Sequence, residues 1–330
     1  MIDGQIHNIL SVANVILKIK NILEERHGSL KRVSVAAAGR ALKTSEGSMA
    51  IDISKNTLIA DEDVNRLELA AVQQAQQQRL SSDSLNTDGY YYCVGYSVLH
   101  YKLDEEEIGS LIDQTGRSAS VEVIATFLPR VVIESLLAAL KRAGLEMEAL
   151  TLEPIAAINV LIPPSMRRLN VALVDIGAGT SDIAITANNT VTAYGMVPVA
   201  GDEITEALSN HYLLDFPLAE NAKRSITLEN DIVMTDILGF EQIVPSVEVI
   251  SIIRPAVERL AASISTEIKR LNSGKSPQAI MVVGGGSLTP ILIQNLSLCL
   301  DLPENRVGIR DLDAISGVTF APGIPSCRND

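Results

Sequence analysis

Apolar residues at Ile9, Val12, Val15, Ile16, Ile19 and Ile22 recur at steps of three and four and stop at Gly28, which predicts a helix over about 9–27. The next apolar run, "RVSVAAAG", is short and rich in valine, so it reads as a strand running into Gly39. Polar turns then lead to a short strand around "SMAIDIS" and a helix near 61–79, whose run "QQAQQQ" reads as a solvated face. "YYYCVGYSVLHYKL" and "SVEVIATFL" read as strands, with "DEEEIGSLIDQTGRSA" as the loop between them. The acidic run Asp104 to Glu107 in that loop lacks the turn chemistry of a metal site and reads as solvated.

Regular alternation begins afterwards. "PRVVIESLLAALKRAG" has Pro129 at a helix start and Gly144 at its end; the strand "EMEALTLE" and a helix beginning "PIAAINVLI" follow. A strand hairpin comes next, then a helix near 202–214, a mixed region to about 246, a helix near 248–272, the strand "AIMVVGG" and a helix after Pro290. This order implies an α/β fold of two lobes with a mixed sheet, the more polar block from about 40 to 120 forming a small inserted α+β subdomain. No short-period repeat is present.

Composition narrows the function. With 330 residues, 47% hydrophobic and 20% charged, the chain is expected to be globular with about two or three domains. A formal net charge of −13 with no basic stripe argues against nucleic-acid binding, and the absence of Trp with only 3% aromatics argues against base-stacking platforms. A single anionic nucleotide stays compatible, because glycine loops and a bound metal offset charge locally. Cys93, Cys299 and Cys327 form no CxxC pair, which suits a reducing cytosol, with Cys327 a candidate free thiol. Asp3, Lys18 and Lys20 interrupt the first 28 residues, and no membrane-spanning candidate appears.

The chemistry concentrates in "LNVALVDIGAGTSDIAITANNTVTAYG", residues 169–195, where a strand enters a glycine turn and leaves as another strand. Gly177 and Gly179 let the backbone approach a phosphate, Asp175 is placed to hold a water of bound Mg²⁺, Thr180 offers a hydroxyl and an N–H, and Asp182 is a second carboxylate. A dinucleotide fingerprint would need a helix after the glycines, whereas "DIAITANNTVTAYG" alternates as a strand. "NSGKSP" at 272–277 fails as a P-loop, since Lys269 stands where a glycine is needed and Pro277 blocks the following helix. "MVVGGGSLTPIL" at 281–292 is again strand, glycine turn, helix, with amides positioned to face a phosphate; a purely structural turn is equally compatible.

The order of "LEPIAA", "DIGAGTSD", "AGDEIT", "AENAKR" and "VVGGGSLTP" between residues 152 and 290 resembles the actin-like ATPase superfamily, which includes FtsA and PilM. The resemblance implies a two-lobed, ribonuclease H-like fold binding ATP with Mg²⁺. By resemblance Glu153 orders the attacking water, Asp175 holds the hydrated metal, and Gly177, Gly179 and Thr180 contact the β- and γ-phosphates. Gly201 and Asp202 resemble a pair near the ribose and phosphates, although Ala200 stands where many relatives have glycine. Glu220, Lys223 and Arg224 resemble residues that bracket ribose and adenine in the chaperone branch, and Gly284, Gly285 and Ser287 resemble the adenosine motif.

The layout of the first half resembles FtsA and PilM more than actin, giving residues 1–39 and 121–168 to the first lobe, 40–120 to the insert and 169–330 to the second lobe. Superfamily members open with a first phosphate hairpin, and "MIDGQIHNIL" resembles the segment after it; "APGIPSCRND" resembles neither the usual final elements nor the amphipathic membrane-binding helix of FtsA. Two expectations stay open: a truncated form, or a nucleotide-binding relative with weak or no hydrolysis. The leading functional expectation is a cytoplasmic FtsA-like protein of cell division or envelope assembly that associates with itself or with that machinery, peripheral to the membrane through partners. The alternatives are a PilM-like pilus-assembly adaptor, a chaperone-like ATPase and a non-catalytic scaffold.

Overall fold

The computed structural model describes residues 6–37, 42–54, 57–82 and 91–310. The expected end of the first strand at Gly39, the thiol of Cys327 and the final segment lie outside the described residues. Two compact units are present, one built from Met1–Ala156, Pro164–Leu169 and Thr186–Tyr194, the other from Ala157–Pro163, Asn170–Ile185 and Gly195–Asp330.

In the first unit, helix α1 (Ile9–His27) starts where the Asn8 side chain accepts the Ser11 amide, and ends at Gly28 with φ of 74°. Strand β1 (Arg32–Ala37) is followed by β2 (Lys43–Asp52), α2 (Asp61–Ser82), β3 (Tyr91–Leu103), β4 (Glu106–Ile108), β5 (Ser118–Pro129), α3 (Arg130–Arg142), β6 (Glu146–Leu152) and α4 (Glu153–Leu161). Strands β1 and β6 pair in parallel, and Lys20 of α1 donates to the carbonyls of Ala143 and Gly144 that end α3.

Strands β2, β5, β3 and β4 form an antiparallel sheet in that order, with α2 on one face. Val121, Val123, Ala125 and Phe127 alternate along β5 toward Val64, Leu67, Ala71 and Ala75 of α2. The helix lies close because Gly47 of β2 has no side chain: a Cβ there would strike the Ala71 carbonyl and Ala75. Two hydroxyls, of Tyr96 and Tyr101, donate to the Glu68 carboxylate and tie β3 to α2. Burial and that carboxylate push the Tyr96 phenol up to about 12.

Two expectations change here. The stretch read as a plain loop contains β4, because Asp104 and Glu105 take left-handed φ values of 50° and 73° and turn the chain tightly back on β3. Asp104 to Glu107 are exposed, as expected of a solvated run, and hydrogen bonds from the Ser118 and Arg117 amides hold the Asp104 carboxyl below the usual range. The glutamine run is also not purely a solvated face, since Gln74 accepts the amide of Ser48 on edge strand β2 at 2.6 Å.

A five-stranded sheet is formed by β7 (Val171–Ile176), β8 (Ser181–Ala187), β9 (Thr190–Val197), β12 (Ala279–Val283) and β13 (Val307–Ile309), ordered β13-β12-β7-β8-β9. The run expected as one long strand after the glycine turn is split into β8 and β9, because Asn188 and Asn189 adopt φ of 53° and 69° as a two-residue turn. Helices α5 (Gly201–Tyr212) and α6 (Phe216–Ser225) precede an antiparallel hairpin, β10 (Asp231–Thr235) with β11 (Glu241–Pro245). Helix α7 (Ser246–Leu271) buries Val249, Ile253, Val257, Leu260, Ile264 and Ile268 along one face, and α8 (Leu292–Leu300) packs beside it.

Candidate functional site

Strand β7 is buried from Val171 to Val174, which fixes it at the centre of its sheet, and β12 pairs with it in parallel so that Val283 lies opposite Asp175. Both strands therefore end at one edge and release their glycine turns side by side. Ligands of open α/β sheets collect at such carboxyl ends of strands.

Gly284 has φ of 83°, and a Cβ on it would strike Asp175 Oδ1 and the Ile176 carbonyl; one on Gly286 would strike the Ile176 side chain. Those two glycines are demanded by the contact between the two turns. Gly285, between them, has nothing within 4 Å of where its Cβ would stand and no left-handed φ. Gly177 is likewise exposed, its Cβ position meeting only the Thr180 carbonyl at 3.4 Å. The fold itself makes no demand for glycine at 177 or 285.

The loop between β7 and β8 is held from beneath. The Gly177 amide donates to the Thr180 carbonyl, while the first amides of α5 reach back, Gly201 to the Gly177 carbonyl at 3.1 Å and Asp202 to the Ala178 carbonyl at 2.8 Å. With those carbonyls satisfied by the helix start, the amides of Ala178 and Gly179 have no acceptor among the described residues. Unclaimed successive amides beside a helix N-terminus make an anion-binding cradle.

Asp175 is partly buried, and that burial pushes its carboxyl above the usual aspartate range; no cation or donor among the described residues offsets it. One carboxylate of this kind fits a hydrated Mg²⁺ held mainly by water and phosphate oxygens. Among the described residues no group of three or more His, Cys, Asp or Glu forms an all-protein metal cage. Asp182 is 2% exposed and accepts the Thr180 hydroxyl at 3.4 Å, and Ser181 bonds the Val199 carbonyl, so the start of β8 is locked from inside.

Helices α5 and α6 meet beside this loop. Lys223 Nζ donates to the Gly201 carbonyl at 3.0 Å and the Thr205 hydroxyl at 2.8 Å, and sits 2.6 Å from Glu220 Oε2. Arg224 bonds the other Glu220 oxygen at 2.9 Å from an exposed position. Burial raises the Glu220 carboxyl, but hydrogen bonds from Lys223 and Thr205 with the Lys223 charge outweigh it, and the net shift is downward. The motif AGDEIT contains Thr205, but sequence reasoning missed its role; its one legible signal is a position one helical turn after Gly201.

The remaining sequence-predicted residues fall as follows. The Ser287 hydroxyl and amide both bond the Gly284 carbonyl, at 2.6 and 3.1 Å, closing a short 3₁₀ turn over Gly285–Leu288 ahead of α8, the helix expected after Pro290. Ala200, at the position where many relatives have glycine, has its amide capped by Glu203 at 2.7 Å. Glu153 opens α4 in the first unit. Gly179 sits at the loop apex.

Residues 172–324 match the family model "Cell division protein FtsA". The chain is 27% identical over 217 residues to the cell division protein FtsA of Bacillus subtilis (strain 168), covering 61% of this chain and 48% of that protein. Against the FtsA of Streptococcus pneumoniae serotype 2 (strain D39 / NCTC 7466) it is 21% identical over 330 residues, covering 94% and 69%. In structure it is similar to the "PilM-PilN type IV pilus biogenesis complex", with a TM-score of 0.62 and 19% identity over 96% of this chain and 82% of that one. It is also similar to the ethanolamine utilization protein EutJ from Carboxydothermus hydrogenoformans, with a TM-score of 0.50 and 18% identity over 94% and 72%. The fold is that of the actin-like ATPases, and the chain spans about half the length of the Bacillus subtilis relative.

Two outcomes follow from this geometry. Gly284→Ala should cost about 1–3 kcal/mol in denaturant unfolding, whereas Gly285→Ala should stay within about 0.5 kcal/mol of the parent. Because folding raises the Asp175 pKa, its ionised form opposes folding once pH exceeds the unfolded value, and below that value both states are protonated. Asp175→Asn should therefore raise the thermal midpoint at pH 7 and leave it unchanged below about pH 3.9.

Proposed function

We propose that this chain, an FtsA/PilM-like member of the actin-like ATPase superfamily, binds an adenine nucleotide with hydrated Mg²⁺ at the paired turns 175–180 and 284–287 and serves cell division through nucleotide-dependent association with copies of itself or with division proteins. The observation that carries the reading is the pair of fold-independent glycines, Gly177 and Gly285, beside the unpaired carboxylate of Asp175 and the open amides of Ala178 and Gly179.

In this reading the loop amides hold β- and γ-phosphate oxygens, with the Thr180 backbone lining the same turn. Bound Mg²⁺ supplies charge neutralisation for the phosphates. Asp175 orders water on that ion, and its burial strengthens the attraction. Gly285 leaves backbone open for the flat face of the nucleoside. The insert at 40–120 supplies partner contacts, with 1–39 and 121–168 as the first lobe and 169–330 as the second. Among the described residues no helix is long and apolar enough to cross a membrane, so membrane attachment in this reading is peripheral and made through partners.

A PilM-like adaptor role is the second reading, supported by the structural likeness to the PilM–PilN complex over 96% of this chain. Co-purification with a pilus-assembly membrane protein instead of division proteins would select it.

Isothermal titration with Mg·ATP tests the binding claim. The parent chain should bind, and Gly285→Val should lose at least about tenfold in affinity with an unchanged melting curve, because the Cβ position at 285 has no protein atom within 4 Å and faces the proposed ligand. Absence of binding by folded parent chain, or an unaffected Gly285→Val variant, contradicts the reading.

A further inference from the structure

Arg310 stands where β13 ends. Its amide donates to the Val282 carbonyl at 3.0 Å, and Ile309 lies opposite Val282 in the parallel pairing of β13 with β12. Val283 lies opposite Asp175 in the pairing of β12 with β7. The order β13-β12-β7 therefore sets three strand ends side by side on one edge of the sheet: Arg310, the turn at 284–287 and Asp175. With neighbouring strands about 4.8 Å apart, the Arg310 backbone is one strand from that turn and about 10 Å from Asp175.

The side chain carries an unmet demand. Arg310 is partly buried, its Nε is shielded from solvent without a hydrogen-bond partner, and no carboxylate among the described residues pairs with it. Arg32, Arg130, Arg224 and Arg270 each reach a carboxylate from an exposed position, so the residue at the ligand edge is the one left without. A guanidinium holds five N–H donors in one plane and accepts nothing, and a buried donor without an acceptor is unfavourable. At the carboxyl end of a strand in an open α/β sheet, the acceptor that arrives is a ligand's.

We infer that Arg310 is a ligand-binding residue of the nucleotide site, its guanidinium donating to acceptors of the nucleoside and not to the phosphates. The inference rests on the proposed nucleotide reading. The open amides of Ala178 and Gly179 follow β7, and the 284–287 turn separates them from Arg310. A ligand with its phosphates on those amides and its nucleoside against Gly285 extends toward β13 at the nucleoside end. Base nitrogens and ribose oxygens supply in-plane acceptors that fit the guanidinium fork.

The experiment compares the parent chain with Arg310→Met, which keeps the stem and removes the donors. Without ligand the variant should melt at or above the parent, since no bond of the folded chain is lost. In titrations, adenosine and Mg·ADP should each bind Arg310→Met about tenfold more weakly, the scale of one charge-assisted hydrogen bond, while Mg·pyrophosphate binds as to the parent. In the ¹⁵N-labelled parent, the Arg310 Nε–H signal should shift with adenosine and stay in place with Mg·pyrophosphate. A melting midpoint several degrees below the parent shows that the guanidinium is bonded within the fold and overturns the inference. So does an equal adenosine affinity in the two chains, or a loss shared by pyrophosphate. Failure of the folded parent to bind either adenosine or Mg·ADP sinks the nucleotide reading and this contact with it; binding by the parent with an unmoved Nε–H signal sinks the contact alone.

Discussion

The parallel pairing of β7 with β12 is the constraint on which the rest depends. It sets Val283 opposite Asp175, so that two glycine turns leave one sheet edge together and Gly284 lies against Asp175 and Ile176 with no room for a side chain. Everything chemical in the second unit follows from that juxtaposition. The buried strand carries Asp175 into a partly desolvated position, and the neighbouring turn leaves its carboxylate without a countercharge among the described residues. A buried charge without a partner is costly, which is why such groups are found where a ligand or ion supplies the missing half.

The second constraint is the division of labour within the loop itself. Its carbonyls are consumed by α5 and its Thr180–Asp182 end is locked into β8, so rigidity comes from below while the amides of Ala178 and Gly179 remain available above. Preorganisation of this sort lets weak individual donors act together on a multiply charged ligand.

Much of this was legible in the sequence where periodicity was strong. The helix at 9–27, the long helix near 248–272 and the strands entering both glycine turns follow from apolar spacing, and Asp175, Gly177 and Gly285 follow from glycine and acid placement at strand ends. What periodicity hid were local backbone choices: left-handed Asp104 and Glu105 create β4, and left-handed Asn188 and Asn189 split one apolar run into β8 and β9. Side-chain commitments were equally hidden. Ser287 and Lys223 carry the right chemistry for a ligand, yet the Ser287 hydroxyl turns back on the Gly284 carbonyl three residues away and Lys223 reaches the Gly201 carbonyl on the neighbouring helix, commitments that residue type and spacing do not reveal.

The central claim is that the two turns form one ligand site, and amide NMR of ¹⁵N-labelled chain titrated with Mg·ADP tests it most directly. Joint, saturable shifts of Ala178, Gly179 and Gly285, fitting a single affinity and requiring Mg²⁺ for full size, are the predicted result. Shifts confined to one turn, or saturation at residues remote from both, would contradict it.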